Sequence, residues 1–155
     1  LAVECYSLEE TKAVLKTILV ALDGSEIAER VIQSLEDLVL SPQDTKVILC
    51  HVFSTPESDI ELPADRPGPE SPTLSYFHIE KQLQSYQEKL PVSSAVDLVN
   101  GDPADEIIRL ANIYQANLIV IGSRGLTGMK RIVHGSVSSQ VVEAANCSVL
   151  VVKRN

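Results

Sequence analysis

Residues 17–22 (TILVAL) form a continuous apolar run, rich in β-branched side chains and closed by Asp23-Gly24-Ser25. A short run of this kind, bounded by turn residues, predicts a strand buried on both faces. From Ser25 the spacing changes. Ala28, Val31, Ile32, Leu35, Leu38 and Val39 recur at helical intervals on one face, until Ser41-Pro42 ends the pattern. Residues 46–53 (KVILCHVF) predict a second buried strand. The stretch 54–73 holds Pro56, Pro63, Pro67, Pro69 and Pro72, has little apolar content and shows no period, so it predicts a mobile surface loop. A polar helix is predicted around 74–90, with Phe77, Ile79, Leu83, Tyr86 and Leu90 inward. A third strand follows at 93–99 (SSAVDLV). Asp102-Pro103 then opens a helix: Asp102 suits the N-cap and Pro103 the first helical position. Its buried side is expected to be Ile107, Ile108, Leu110, Ala111 and Tyr114. Residues 118–121 (LIVI) predict a fourth strand. A Gly-rich connection, a helix over 136–145 and a fifth strand at 148–153 (SVLVVK) complete the chain.

Strands alternating with helices imply right-handed crossovers, hence an α/β fold: a five-stranded parallel sheet with helices on both faces. Ligands in such sheets lie at the carboxyl ends of the strands, where strand order reverses. That rule places Asp23-Gly24-Ser25, Val52-Phe53 and the loop after Ile121 on one rim. Residues 1–16 fall outside the alternation. Ser7-Leu8-Glu9-Glu10 has the form of a capping box, so 1–16 reads as an N-terminal extension with a short helix, and 17–154 as the domain.

The length of 155 residues suits one domain. With 45% hydrophobic and 22% charged residues the composition is that of a globular chain, which argues against general disorder. No apolar run reaches the roughly 18–20 residues of a membrane-spanning helix, and no segment has the pattern of a signal peptide. The three cysteines, Cys5, Cys50 and Cys147, are far apart and lack C-x-x-C spacing. That argues against a disulfide framework or a zinc site, and fits a reduced cytoplasmic protein. Thirteen basic against 21 acidic residues give a net charge of −8, which argues against nucleic-acid or anionic-membrane partners. Beyond Glu106, however, Glu143 is the only acid, while Arg109, Arg124, Lys130, Arg131, Lys153 and Arg154 fall there. A locally basic segment in an acidic chain suits a small anionic ligand; chance clustering of surface cations is the alternative.

Four of the 7 glycines lie between Gly122 and Gly135. Strand-to-helix loops usually take about 2–6 residues, and this one is longer. Glycines let backbone N–H groups approach an anion, and the loop ends at Gly135-Ser136 where a helix begins, a source of free N–H donors and partial positive charge. Ser136 and Ser138 add hydroxyls, and Arg124, Lys130 and Arg131 add charge. These are the parts of a phosphate site; a loop with glycines at its turns is the plainer reading. Neither G-x-x-x-x-G-K-[ST] nor G-x-G-x-x-G is present.

Gly122, two residues, Gly125, nine residues, Gly135 and Ser136 together spell G-2x-G-9x-G-[ST]. In this the chain resembles the universal stress protein family, whose nucleotide-binding members carry that motif. The resemblance spans 17–153 and includes the strand ending at Asp23, His51-Val52, Gly101-Asp-Pro-Ala-Asp-Glu-Ile, Leu118-Ile-Val-Ile-Gly-Ser-Arg-Gly and Ser148-Val-Leu-Val-Val. It implies a Rossmann-like fold, similar to that of the adenine nucleotide alpha hydrolases, and ATP as ligand, or AMP or ADP, with Mg²⁺ carried on the phosphates. It implies Asp23 against the adenosine, with Ala21 and Leu22 preceding it on the rim, and the Val52 backbone at the adenine. Gly122, Ser123, Arg124 and Gly125 would form the ribose and phosphate turn. Gly135, Ser136 and Val137 would meet the triphosphate end, with Ser138 just beyond. It also implies a homodimer paired through 148–153, a strand whose place near the chain's end suggests a sheet edge.

Plainer roles stand beside these. Asp23 is also a candidate helix N-cap, a position Ser25 fills equally well. His51 reads as a core or rim histidine, and His134 and His78 as solvated ones; Cys50 reads as packed inside. No nucleophile with an assigned base and no acidic metal cluster is legible, so catalysis is expected to be slow ATP hydrolysis at most. The expected function is an adenine-nucleotide-binding sensor or switch in stress response. The alternatives are an interaction module of the same fold that binds no nucleotide, and a slow ATPase.

Overall fold

The computed structural model describes residues 15–38, 43–54, 72–123 and 137–153. Along the chain these form β1 (Thr17–Ala21), α1 (Ile27–Leu38), β2 (Lys46–Phe53), α2 (Pro72–Lys89), β3 (Ser93–Asn100), α3 (Pro103–Ile113), β4 (Leu118–Gly122), α4 (Val137–Ala144) and β5 (Ser148–Val152). The five strands make one parallel sheet in the order β3-β2-β1-β4-β5. Strand order therefore reverses at β1, and β5 is an edge.

The two faces of each central strand feed two cores, because successive side chains point to opposite sides. Ile18, Val20, Val47, Leu49 and Val120 pack under α1 and α2, against Val31, Leu35, Leu83 and Tyr86. Leu19, Ile48, Cys50, Ile119 and Ile121 pack under α3 and α4, against Ile107, Leu110 and Val141. Helices thus cover both faces, which is why β1, β2 and β4 read as unbroken apolar runs.

Helix α3 starts as its sequence requires. Asp102 is extended (φ −71°, ψ 125°), its carboxylate accepts the Asp105 N–H at 3.1 Å, and Pro103 opens the helix. The ion pair of Arg109 with Glu106 on its surface is exposed and adds little. At the opposite end of the sheet from the carboxyl rim, Asn117 joins strands side chain to backbone. Its Oδ1 accepts the N–H groups of Lys16 and Thr17 at 2.9 and 3.0 Å, and its own N–H donates to the Thr17 carbonyl at 2.8 Å.

Some expectations need correction. Helix α2 begins at Pro72, not after Thr73, since proline suits a first helical turn. Phe77 does not face inward: it is 56% exposed, with the Lys81 ammonium 5.0 Å from its ring centre. The inner face of α2 is Ile79, Leu83 and Tyr86, with Leu90 just beyond its end. Ile108 is only half-buried, while Ala104 takes the buried place a turn earlier. Strand β5 ends at Val152, one residue short of Lys153. The N-terminal extension, the end of the first helix at Val39 and most of the Pro-rich stretch lie outside the described residues.

Candidate functional site

At the carboxyl ends of β1, β2 and β4 lies a cavity of about 500 Å³, within the range typical of small-molecule pockets. Asp23, Val52 and Gly122 line it from the strand ends, and Val137 and Ser138 from the start of α4. Ala21 and Leu22 complete the β1 side, and Pro103 and Ile107 overhang it from the first turns of α3. The cavity stands at the switch point, where the crossovers leaving β1 and β4 diverge and open a crevice.

The β1 side is held by a tight turn. The Asp23 carboxylate accepts from the Ser25 N–H at 2.9 Å and from the Ser25 hydroxyl. Gly24 between them has φ +79°, a left-handed conformation that favours glycine. The Ser25 carbonyl then accepts the Ala28 N–H at 3.0 Å, the first bond of the helical turn. Ser25 therefore stands at the head of α1, and the Asp23 carboxylate holds Ser25 in place. That places the carboxylate at the cavity wall.

The backbone of β2 has a fixed parity. The Lys46 N–H and the Cys50 carbonyl bond to the β1 side, to Lys16 and Leu22, whereas the Phe53 carbonyl accepts from Gly101 on the β3 side. Val52 shares the parity of Lys46 and Cys50, so its N–H and C=O face the β1 side. The Cys50–Leu22 bond, at 2.9 Å, is the last rung there. Beyond it β1 has turned away into Asp23-Gly24, and the Val52 peptide faces the cavity.

The flanking side chains are mostly chemically quiet. Cys50 is fully buried, and burial, followed by the nearby Asp97 carboxylate, pushes its thiol up to about 12. It is a wall residue, not a nucleophile. Asp97 accepts the Tyr114 hydroxyl at 2.7 Å, and this bond raises the tyrosine's pKa, with burial adding to it. Among the described residues, no group of three His, Cys, Asp or Glu is placed to hold a metal ion, and no helix is long and apolar enough to cross a membrane.

Seven of the residues singled out from the sequence, Ala21, Leu22, Asp23, Val52, Gly122, Val137 and Ser138, are brought together around this cavity. Ser123 is not among its lining residues; its N–H donates to the Val152 carbonyl at 2.8 Å and extends the β4–β5 ladder. Arg124, Gly125, Gly135 and Ser136 lie outside the described residues. Gly122 has a second reason to be glycine: an added Cβ would stand 2.8 Å from the Ile27 side chain. Phe53, expected on the rim, and His51, expected in the core or on the rim, both line the cavity, whereas Pro103 and Ile107 were not foreseen as wall residues. Helical periodicity marks Ile107 as buried, but not that the first turns of α3 overhang the rim.

The universal stress protein family model matches residues 15–153. A universal stress protein of Synechocystis, Sll1388, is 31% identical over 150 residues, covering 88% of this chain and 96% of that one. A shorter match at 40% identity over 74 residues covers 48% of this chain and 44% of the universal stress protein MJ0531 of Methanocaldococcus jannaschii. Among solved structures, that of the protein MJ0577 superposes with a TM-score of 0.68 at 27% identity, covering 92% of this chain and 98% of that one. A family protein of Arabidopsis thaliana, solved with AMP bound, superposes with a TM-score of 0.65 at 25% identity, covering 90% and 92%. On the family match over 15–153, and on the 31% identity to Sll1388 across most of both chains, the chain belongs to the universal stress protein family.

Proposed function

We propose that this protein binds an adenine nucleotide in the cavity at the β1/β4 switch point and acts as a sensor or switch in stress response. One observation carries the reading: Asp23, the outward Val52 peptide and Gly122 meet around a single cavity of nucleotide-compatible size. The chemistry of the donors fits. A carboxylate accepts from ribose hydroxyls, and a peptide N–H beside its C=O matches a base edge that offers an acceptor beside a donor. AMP bound to the Arabidopsis relative supports the same ligand class.

ATP is the preferred ligand in this reading. The complete G-2x-G-9x-G-[ST] motif would hold the phosphates through the backbone of Gly125, Gly135 and Ser136, with Mg²⁺ carried on the phosphates rather than by side chains. Hydrolysis is slow at most, and the site of action is the cytoplasm. Mass analysis of ligand released from freshly purified protein tests the reading. Recovery of an adenine nucleotide supports it, as does calorimetric binding of AMP and ATP. No binding at millimolar concentration would favour an interaction module instead.

The edge position of β5 favours a further element: a homodimer formed by pairing two copies of this strand. Light scattering at micromolar protein tests it, and a monomer alone would refute it.

A further inference from the structure

Resting on the adenine-nucleotide reading, we infer that His51 is a positioning residue that keeps the Val52 N–H available to the base. Continuing β1–β2 pairing by one rung would join the Val52 N–H to the Leu22 carbonyl, because Val52 has the parity of Cys50, whose carbonyl takes the Leu22 N–H. The Leu22 carbonyl is instead occupied by the His51 side chain. Nδ1 lies 2.7 Å from it, and since a carbonyl only accepts, the ring N–H donates. Where β1 turns away, the imidazole thus competes from inside the strand for the acceptor that the next rung would use.

The ring is held for this task. Its edge packs against Phe53, with centroids 4.6 Å apart and planes at 72°, and Phe53 stacks on Tyr76 at 5.4 Å and 24°. His51 and Phe53 are two residues apart on one face of β2, while Val52 between them turns its side chain to the other face and its peptide to the cavity. The consequence is selectivity. A free N–H beside a C=O pairs with an adenine edge, a ring-nitrogen acceptor next to an amino donor. It opposes hypoxanthine, whose corresponding edge offers a donor next to an acceptor.

Two measurements on the full chain test this. The first is binding of AMP and of IMP by calorimetry to the wild type, His51→Gln, His51→Leu and His51→Asn, with circular dichroism to confirm folding. Asparagine can place an amide N–H where Nδ1 stands, whereas glutamine carries its amide further out and leucine has no donor. The wild type and His51→Asn should prefer AMP by about tenfold or more, and His51→Gln and His51→Leu should bring the ratio to within about threefold of unity, the scale of one or two hydrogen bonds. An unchanged AMP/IMP ratio in folded His51→Leu overturns the inference while leaving the nucleotide reading intact. The second is hydrogen exchange of the Val52 amide without nucleotide. Slower exchange in His51→Leu than in the wild type, by about tenfold or more, is expected as the extra rung forms. A Val52 amide already as protected in the wild type overturns the inference, even where AMP fails to bind and the nucleotide reading falls on its own.

Discussion

Gly122→Ala isolates the packing role of the motif's first glycine from any role in binding. The new Cβ would lie 2.8 Å from Ile27 Cγ2, 3.3 Å from Cδ1 and 3.4 Å from Cγ1. Ile27 is the first residue of α1 and is buried, so it has little room to turn away. The backbone at 122 is not in the left-handed region, so the penalty is contact alone. Overpacking of this kind costs about 1–3 kcal/mol. For a domain of this size each kcal/mol moves the melting temperature by about 2–4 °C, so a cost near 2 kcal/mol lowers it by about 4–8 °C. Ile27→Ala alone should cost about 2–4 kcal/mol through the space it leaves. Because the alanine at 122 enters that space, the double variant should be more stable than the sum of the single losses predicts, by about 1–2 kcal/mol. Thermal melts followed by circular dichroism, with urea titrations, give the four free energies. Strict additivity, or a Gly122→Ala protein as stable as the wild type, would refute the reasoning.

In the proposed site Asp23 lies against the nucleoside, so Asp23→Ala should weaken AMP and ATP by similar factors; calorimetry showing loss for ATP alone would contradict this. Gly135→Val, chosen on the motif, should weaken ATP by about two orders of magnitude if two or three charge-assisted bonds of about 1.5–3 kcal/mol each are lost. Equal ATP binding by wild type and variant would remove the phosphate reading. Asp102→Ala should cost about 1 kcal/mol by removing the N-cap of α3, and Asp102→Asn should recover most of it in urea unfolding. Cys50 makes the fold alkali-sensitive. Its thiol is raised from 9.0 to about 12, so its contribution is intact below pH 9 and is lost between there and about pH 12, as the unfolded chain ionises first. The loss runs at up to about 1.4 kcal/mol per pH unit. Urea midpoints at pH 8 and 10 should fall further for the wild type than for Cys50→Ala; equal falls would refute the assignment.

The strands were legible because burial on both faces removes the polar alternation that would otherwise blur them: TILVA, KVILCHVF and LIVIG need no periodic analysis. The cap of α3 was legible because Asp102-Pro103 satisfies two local requirements at once. Helix α2 is less legible, since a weakly amphipathic helix leaves its inner face underdetermined; Phe77 is apolar enough to suggest an inward place and is instead exposed, with the Lys81 ammonium over its ring. Half of the site was readable for a different reason. Asp23, Val52 and Gly122 each lie at or just past the carboxyl end of a strand, and parallel topology carries such ends to one rim. The walls contributed by Pro103, Ile107 and His51 depend on how helices overhang that rim and on which carbonyl a side chain captures, and neither has a signature in spacing.

Asn117 ties the start of the central strand to a distant part of the chain. Its side chain secures the entry of the central strand from a position 100 and 101 residues further along the chain. β1 can pair with β2 as soon as the first crossover closes, but its other flank waits for β4, and closing so long a loop carries a larger entropic cost. Folding of this chain is then expected to be paced by a late, long-range joining of its C-terminal part to a half-built sheet. Until that moment the chain presents one flank of its most apolar strand as an open edge. During synthesis this is the interval in which misassociation with another unfinished copy competes with completion.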